Sequence, residues 1–480
     1  MRKITTKGRA IAIILFALII AIPSALIMFL TPNKFELMVP GNTVMIVDGT
    51  KISVGFFNYF YHAATSPESL LMLERQHEGF DATKSFSEQI YDEETGMTWH
   101  DFFVEAAKEQ ISRIVALSNK GESAGITLFD EQEEEIRAQI SALSKKAAEY
   151  NVLTNDYASI IYGDFVGKAT LEKIMQKSYI AQNYYEFISI TQKPSANETE
   201  SYFYENQEDF YSVSFDYYIV NYDDNFEDQV SLINEVLNQS NSPKEFDYAL
   251  KEKFPVYDMM GFLETESIEA RDLMKKDSDF LPQEVTDWVY GSERKAGEKT
   301  FIHVKDEKKL YVILMSEPAQ LDTEVKCSVR EIFISSDDSS DGSVNAMYLS
   351  EEIENKIRTS ENPEYTFAVL ADMYLKNFEE MQHSGGLVGK ISNGDSEEKL
   401  NSWIFDDSRK NGDIISISGE KGFYIFLFSD RYESWRFDSE QELISVKVEK
   451  ASIAQETKNA FAYEKHVLNE KTRSDIDSAE

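Results

Sequence analysis

The 480-residue sequence holds one cysteine, Cys327. A lone thiol excludes an intrachain disulfide framework and any zinc site built on several thiolates. Histidine is nearly as scarce. His62, His77, His100, His303, His383 and His466 are scattered and form no HxxxH or HExxH pair, so no metal site is expected. Basic residues are the third shortage: 48 Lys and Arg stand against 85 Asp and Glu, for a net charge of −37, and no cationic cluster follows residue 9. A nucleic-acid binder needs such a cluster to displace counterions from phosphate, so nucleic acid is not expected as a partner. Apolar residues, by contrast, are plentiful. They make up 42% of the chain, with 31 Phe and 25 Tyr, which is ample for packed cores and argues against a disordered acidic chain. At roughly 150 residues per domain, the length predicts about three domains.

Arg2, Lys3, Lys7 and Arg9 precede an uncharged, mostly apolar run from Ala10 to Leu30. At about 1.5 Å per helical residue this run covers the roughly 30 Å hydrocarbon core of a bilayer. The positive charges lie on one flank, so residues 1–9 are expected in the cytoplasm and everything after about Thr31 outside. A cleaved signal peptide is the competing reading, because Pro23-Ser24-Ala25 is a patch of small residues. The apolar stretch nevertheless resumes from Leu26 to Leu30 without an A-x-A site, which favours a retained transmembrane anchor.

Beyond the anchor, Val44-Met45-Ile46-Val47, Asp48-Gly49 and Thr50-Lys51-Ile52 read as a hairpin, since Asp-Gly supplies the positive φ values of a tight turn. Ser53 then caps a helix bearing Phe56, Phe57, Phe60 and Tyr61. Thr98 with Asp101 forms a capping signature for a longer helix carrying Phe103, Ala107, Ile111 and Ile114. Further helices are expected over 130–150, 171–190 and 199–210. The acids Asp130 to Glu135 are read as a solvated helix start, where the dipole favours negative charge. Residues 31–210 are therefore a mainly helical unit.

After Phe210 a repeat begins. Trp288-Val289-Tyr290, Arg294-Lys295 and Gly297-Glu298 match Trp403-Ile404-Phe405, Arg409-Lys410 and Gly412-Asp413 at an offset of 115. The same offset lays Phe215-Asp216-Tyr217-Tyr218-Ile219 on Arg330-Glu331-Ile332-Phe333-Ile334. Each copy opens with a strand, passes a Trp-bearing helix and closes with a strand, Tyr311 to Met315 or Phe423 to Phe428. The expectation is an α+β multi-domain chain: the anchor over 1–30, the helical unit over 31–210, α+β domains over 211–320 and 321–435, and a C-terminal helix and tail over 436–480. In that last segment Ile444, Val448, Ile453, Ala460, Phe461 and Val467 keep helical spacing.

The second copy reads Val329-Arg330-Glu331-Ile332-Phe333-Ile334, Phe367-Ala368-Val369-Leu370-Ala371, Gly385-Gly386-Leu387-Val388-Gly389, Trp403-Ile404-Phe405, Gly412-Asp413 and Gly422-Phe423-Tyr424-Ile425. That order and spacing resembles a parvulin-type peptidyl-prolyl isomerase domain. The Val-Asp-Gly-Thr-Lys-Ile-Ser hairpin and the Thr98-Trp99 helix resemble the chaperone domain of SurA-type and PrsA-type foldases. Together these segments span almost the whole chain. The resemblance implies a bacterial membrane-anchored, extracytoplasmic foldase that engages unfolded or newly exported polypeptides and needs no cofactor.

Rotation about an X-Pro bond crosses a barrier of about 20 kcal/mol and takes tens to hundreds of seconds, slow enough to limit folding. Its catalysis calls for an apolar slot and a few hydrogen-bonding groups that favour the twisted amide. The family places one His on the first strand and another on the last. The matching positions here are Glu331 and Tyr424 in the second copy, and Asp216 and Tyr311 in the first. A carboxylate in place of imidazole removes a donor and adds a charge that is costly to bury, so isomerase activity is expected to be weak or lost. Glu331 and Tyr424 remain the candidate catalytic pair, with Leu400 and Phe405 in the slot and Gly385 and Gly386 shaping the adjacent loop. The first copy shows Met260-Gly261-Phe262 where the second has its glycine pair, and is read as degenerate. Two other functions stay open: an active isomerase with a rearranged site, and an envelope scaffolding protein that reuses inactive domains. Neither client identity nor oligomeric state follows from the sequence.

Overall fold

A computed structural model describes residues 43–77, 79–222, 225–256, 267–336, 342–374, 385–419 and 421–459. The apolar run from Ala10 to Leu30, Met260-Gly261-Phe262, and Ala460, Phe461 and Val467 lie outside the described residues. Among the described residues no helix is long and apolar enough to cross a membrane.

Strands β1 (Thr43–Val47) and β2 (Thr50–Ser53) form the expected hairpin, with Asp48 and Gly49 at φ 45° and 80° as the tight turn requires. Ser53 accepts from the Phe56 amide and starts α1 (Val54–Ala64), which buries Phe56, Phe57 and Phe60. Next come α2 (Pro67–Gln76), a short hairpin of β3 (Ile90–Asp92) and β4 (Met97–Thr98), and α3 (Trp99–Ser123). The Asp101 amide donates to Thr98 Oγ1 at 3.2 Å while Asp101 Oδ2 accepts from the Thr98 amide at 3.0 Å. Thr98→Ala breaks this reciprocal cap and is expected to cost about 1 kcal/mol in a urea melt. Helices α4 (Asp130–Glu149), α5 (Thr154–Tyr162), α6 (Lys168–Thr191) and α7 (Ala196–Glu205) complete this unit around a core that includes Trp99, Phe103, Ile111, Ile140 and Ile174.

The chain then builds two antiparallel sheets of one design. The first holds β5 (Tyr211–Asn221), α8 (Phe226–Gln239), α9 (Pro243–Lys253), β6 (Ile268–Met274), α10 (Gln283–Val289), β7 (Lys299–Val304) and β8 (Lys309–Leu321), with strand order β6-β5-β8-β7. The second holds β9 (Val325–Ser335), α11 (Gly342–Thr359), α12 (Pro363–Tyr374), β10 (Leu387–Ile391), α13 (Glu398–Ile404), β11 (Ile414–Ser418) and β12 (Gly422–Glu433), with strand order β10-β9-β12-β11. In each, a helix pair covers one face and the Trp helix the other. The likeness extends to side chains. Arg294 stacks 5.0 Å from the Trp288 ring and pairs with Glu298 at 3.0 Å; Arg409 stacks 4.8 Å from Trp403 and pairs with Asp413 at 3.2 Å. The amides of Gly297 and Gly412 donate to Met315 and Phe428 carbonyls, each at 2.8 Å.

One sequence alignment is corrected. Met315 pairs with Phe215, and its counterpart Phe428 pairs with Val329, so Phe215 corresponds to Val329. The opening strands are therefore one residue out of step with the offset of 115 found for the Trp helices. A slip of one residue exchanges the two faces of a strand. Asp216 corresponds to Arg330, and Tyr217, not Asp216, takes the place of Glu331. Asp216 is buried opposite the α10 face, held by Arg271 at 2.6 Å and by the Ser316 hydroxyl at 3.1 Å, whereas Tyr311 belongs to the α10 face. The first copy thus has no Asp216–Tyr311 pair.

The C-terminal segment differs too. Helix α14 (Ser434–Ser452) returns to the helical unit, where Trp435 packs 4.4 Å from Phe203 and Ile444 and Val448 meet Ile188. Helical spacing predicted continuation beyond Ser452. Instead Ile453 is exposed, and β13 (Thr457–Asn459) pairs antiparallel with β1, because the open edge at Met45–Val47 offers main-chain partners that outweigh local periodicity.

Candidate functional site

Side chains alternate across a strand, so Val329, Glu331 and Phe333 of β9 share the sheet face that α13 covers. Register sets Phe333 opposite Tyr424, Glu331 opposite Phe426 and Val329 opposite Phe428. On β11, Ile417 lies beside Tyr424 and Ile415 beside Phe426. Leu400, Trp403 and Phe405 from α13 and its C-terminal end close the same cluster. The Phe333 ring lies 4.6 Å from Tyr424, and Tyr424 and Phe426 stack at 6.0 Å with planes 4° apart. Phe333, Tyr424, Leu400, Phe405, Ile415 and Ile417 are all half-buried, so this aromatic and aliphatic surface is partly open to solvent.

Glu331 sits inside it. Burial pushes its carboxyl above the ordinary carboxylate range, so the acid keeps its proton to higher pH than usual. Burial, and after it the charge of Glu331, raises the Tyr424 phenol and keeps it a hydrogen-bond donor. The arrangement offers a partly exposed apolar face, the slot, that carries a phenol and a carboxyl. Among the described residues no group of His, Cys, Asp and Glu could hold a metal ion.

The structure brings Glu331, Tyr424, Leu400 and Phe405 onto one face, but not Gly385 and Gly386. Gly386 adopts φ +68° on the far side of β9, and a Cβ there would stand 2.3 Å from the Glu331 carbonyl oxygen and 2.8 Å from the Ala371 methyl. Its own carbonyl accepts from the Glu331 amide at 2.8 Å. Gly385, at φ +57°, passes between Arg330 and Glu186 of α6, with its carbonyl accepting from Arg330 Nη1 at 2.9 Å. The pair therefore serves a close crossing of β9, α12 and α6 and does not line the slot. Arg330, 4% exposed there, also lies 3.4 Å from Glu364 and 4.0 Å from Glu186. Sequence reading missed Phe333, Phe426, Ile415 and Ile417, although alternation along 329–333 and 424–428 carried the signal.

No family model matches the sequence, and no curated protein matches it. Among solved structures, the chain aligns with the foldase protein PrsA from Streptococcus pneumoniae at 10% identity, over 75% of this chain and 85% of that one, with a TM-score of 0.17. It aligns with the foldase protein PrsA from Lactococcus lactis at 10% identity, over 70% of this chain and 93% of that one, with a TM-score of 0.21. Scores this low carry no argument about fold or function, and both stand only as likenesses.

Proposed function

We propose that the chain is a membrane-anchored, extracytoplasmic foldase whose main work is to hold unfolded exported segments, with prolyl isomerisation weak or lost. The observation that carries this reading is the half-open face around Leu400, Phe405 and Tyr424, with Phe426 buried beneath it, on a sheet that keeps the parvulin-like order of motifs. An apolar slot grips proline rings and other apolar side chains at little cost in specificity. The division into an anchor, a helical chaperone unit, a degenerate α+β domain and a second α+β domain belongs to the same proposal.

Two measurements on the full-length chain in detergent test it. Suppression of aggregation of several unrelated unfolded proteins is expected, and Phe405→Asp is expected to weaken it severalfold by placing a charge in the slot. Capture of one envelope protein without any such suppression would point instead to a scaffold. In a proline-containing tetrapeptide assay the rate is expected to stay near background; a fast rate lost in Glu331→Gln overturns the holding role as the main one.

The raised Glu331 carboxyl favours a second reading, an active isomerase with a rearranged site. A neutral acid can donate to the twisted amide, so the rate would be highest at low pH and fall as pH rises through the raised value. A flat profile at background removes that reading.

A further inference from the structure

On the opposite side of the second sheet from the slot, α6, β9, α12, β12 and α14 line a partly open cavity of about 130 Å³. Two residues that line it carry a buried polar atom without a hydrogen-bond partner among the described residues: Oε1 of Glu186, whose residue is 1% exposed, and the hydroxyl of Ser429, 5% exposed. An unpaired buried carboxyl oxygen costs free energy unless a donor reaches it. Tyr185, Tyr432 and Phe437 supply the walls, with the Tyr432 and Phe437 rings stacked at 4.9 Å. The lining carries Glu186, Glu364, Asp430 and Glu440 against Lys193 and Arg330, so its formal charge is negative. Both bases are already engaged, Lys193 with Glu364 at 3.3 Å and Arg330 with Glu364 and the Gly385 carbonyl.

We propose that this cavity binds a primary ammonium group, with Glu186 Oε1 and the Ser429 hydroxyl as acceptors and the three aromatic rings as walls. Carboxylate and aromatic faces together favour a cation. The available acceptor geometry selects which cation. A guanidinium presents a planar fork that matches two free carboxylate oxygens, but Glu186 Oε2 faces Arg330, leaving one oxygen for a compact, point-like ammonium. The room suits a short alkyl chain.

Proton linkage gives the site a signature. Arg330 on β9, Glu364, Tyr365 and Asp372 on α12, Tyr185 on α6 itself, Lys193 just past its end, Asp430 on β12 and Glu440 on α14 surround Glu186 and the cavity. Burial first, then Asp372 and Glu364, hold its carboxyl well above the ordinary range, against the opposing pull of Arg330. An arriving ammonium reverses that balance and expels the proton, so affinity rises with pH, by up to about tenfold per unit below the raised value. This site is independent of the foldase reading.

The test is calorimetric titration of the full-length chain with n-propylammonium chloride at pH 6 and pH 8, in buffers of different ionisation enthalpy. Saturable uptake is expected, tighter at pH 8, with about one proton released, and none with n-propanol or tetramethylammonium. Glu186→Gln, nearly isosteric, is expected to bind at least tenfold more weakly at pH 8 and to lose the pH dependence. Ser429→Ala, with an unchanged melting curve, should weaken binding severalfold. No saturable uptake, uptake shared by n-propanol, or unchanged affinity in Glu186→Gln overturns the site and leaves a water-filled cavity. Two further ligands separate the sources: 1,4-diaminobutane stands for free amines, and a lysine-containing heptapeptide, compared with its norleucine version, for a peptide side chain.

Discussion

Gly386→Ala is expected to lower stability by about 2–5 kcal/mol, read as a fall in the urea midpoint. Two costs combine. A residue with a Cβ at φ +68° carries backbone strain of about 1–3 kcal/mol. The added methyl would also stand 2.3 Å from the Glu331 carbonyl oxygen, where neither β9 nor the Ala371 side chain of α12 can yield cheaply. Gly412→Ala is the control: its φ is +88°, but a Cβ there meets nothing within 4 Å, so it should cost only about 1 kcal/mol. Equal losses in the two variants would show that the close crossing contributes nothing. Because the displaced carbonyl belongs to Glu331, the variant should also weaken the client binding proposed for the slot, although Gly386 lies on the other side of the strand.

Arg330→Met is expected to cost about 3–5 kcal/mol near pH 8, because it removes a buried cation and leaves Glu186 and the Gly385 carbonyl without it. The loss should shrink in acid. Glu186 has a folded-state value raised above its unfolded one, so its protonated form supports folding below the unfolded value, and that support is lost as pH rises through the folded one. Without Arg330 the folded value moves higher still, and the penalty concentrates at neutral and alkaline pH. Urea melts at pH 5 and pH 8 check the sign. Adding Glu186→Gln to Arg330→Met should recover a substantial part of the loss at pH 8, a coupling that a double-mutant cycle reads directly. Full additivity of the two changes would mean that Arg330 acts through Glu364 and Gly385 alone.

Local chemistry made much of the architecture legible. Asp48-Gly49 permits few backbone shapes, Thr98 with Asp101 announces a helix start, and the Trp288 and Trp403 segments repeat closely enough to show a common design. Long-range geometry was harder to read. Sheet register puts Glu331 and Tyr424 on one face, and α13 with its C-terminal end adds Leu400 and Phe405 to it; the sequence pattern named all four as candidates. It failed one residue away, at Asp216, because the distance from opening strand to Trp helix is not identical in the two copies, and a single residue reverses a strand's faces. The Gly385-Gly386 pair looked like a flexible loop beside the slot. Its actual constraint comes from Arg330, Ala371 and Glu186, which the chain order does not bring near. Nor did the helical spacing past Ser452 reveal that an unpaired strand edge waited at Met45–Val47.

That last pairing has a consequence in time. The β1 edge is satisfied by residues near the far end of the described chain: the Glu456 amide donates to Asp48 Oδ1 across 408 positions of sequence. A chain synthesised from its N-terminus at about 5–20 residues per second keeps that edge open for roughly 20–80 s. Until Thr457–Asn459 arrive, the first hairpin presents main-chain groups with no permanent partner, as an unprotected sheet edge does. Closure therefore waits for β13. A polypeptide cut short before β13 would keep the exposed edge at Met45–Val47 indefinitely.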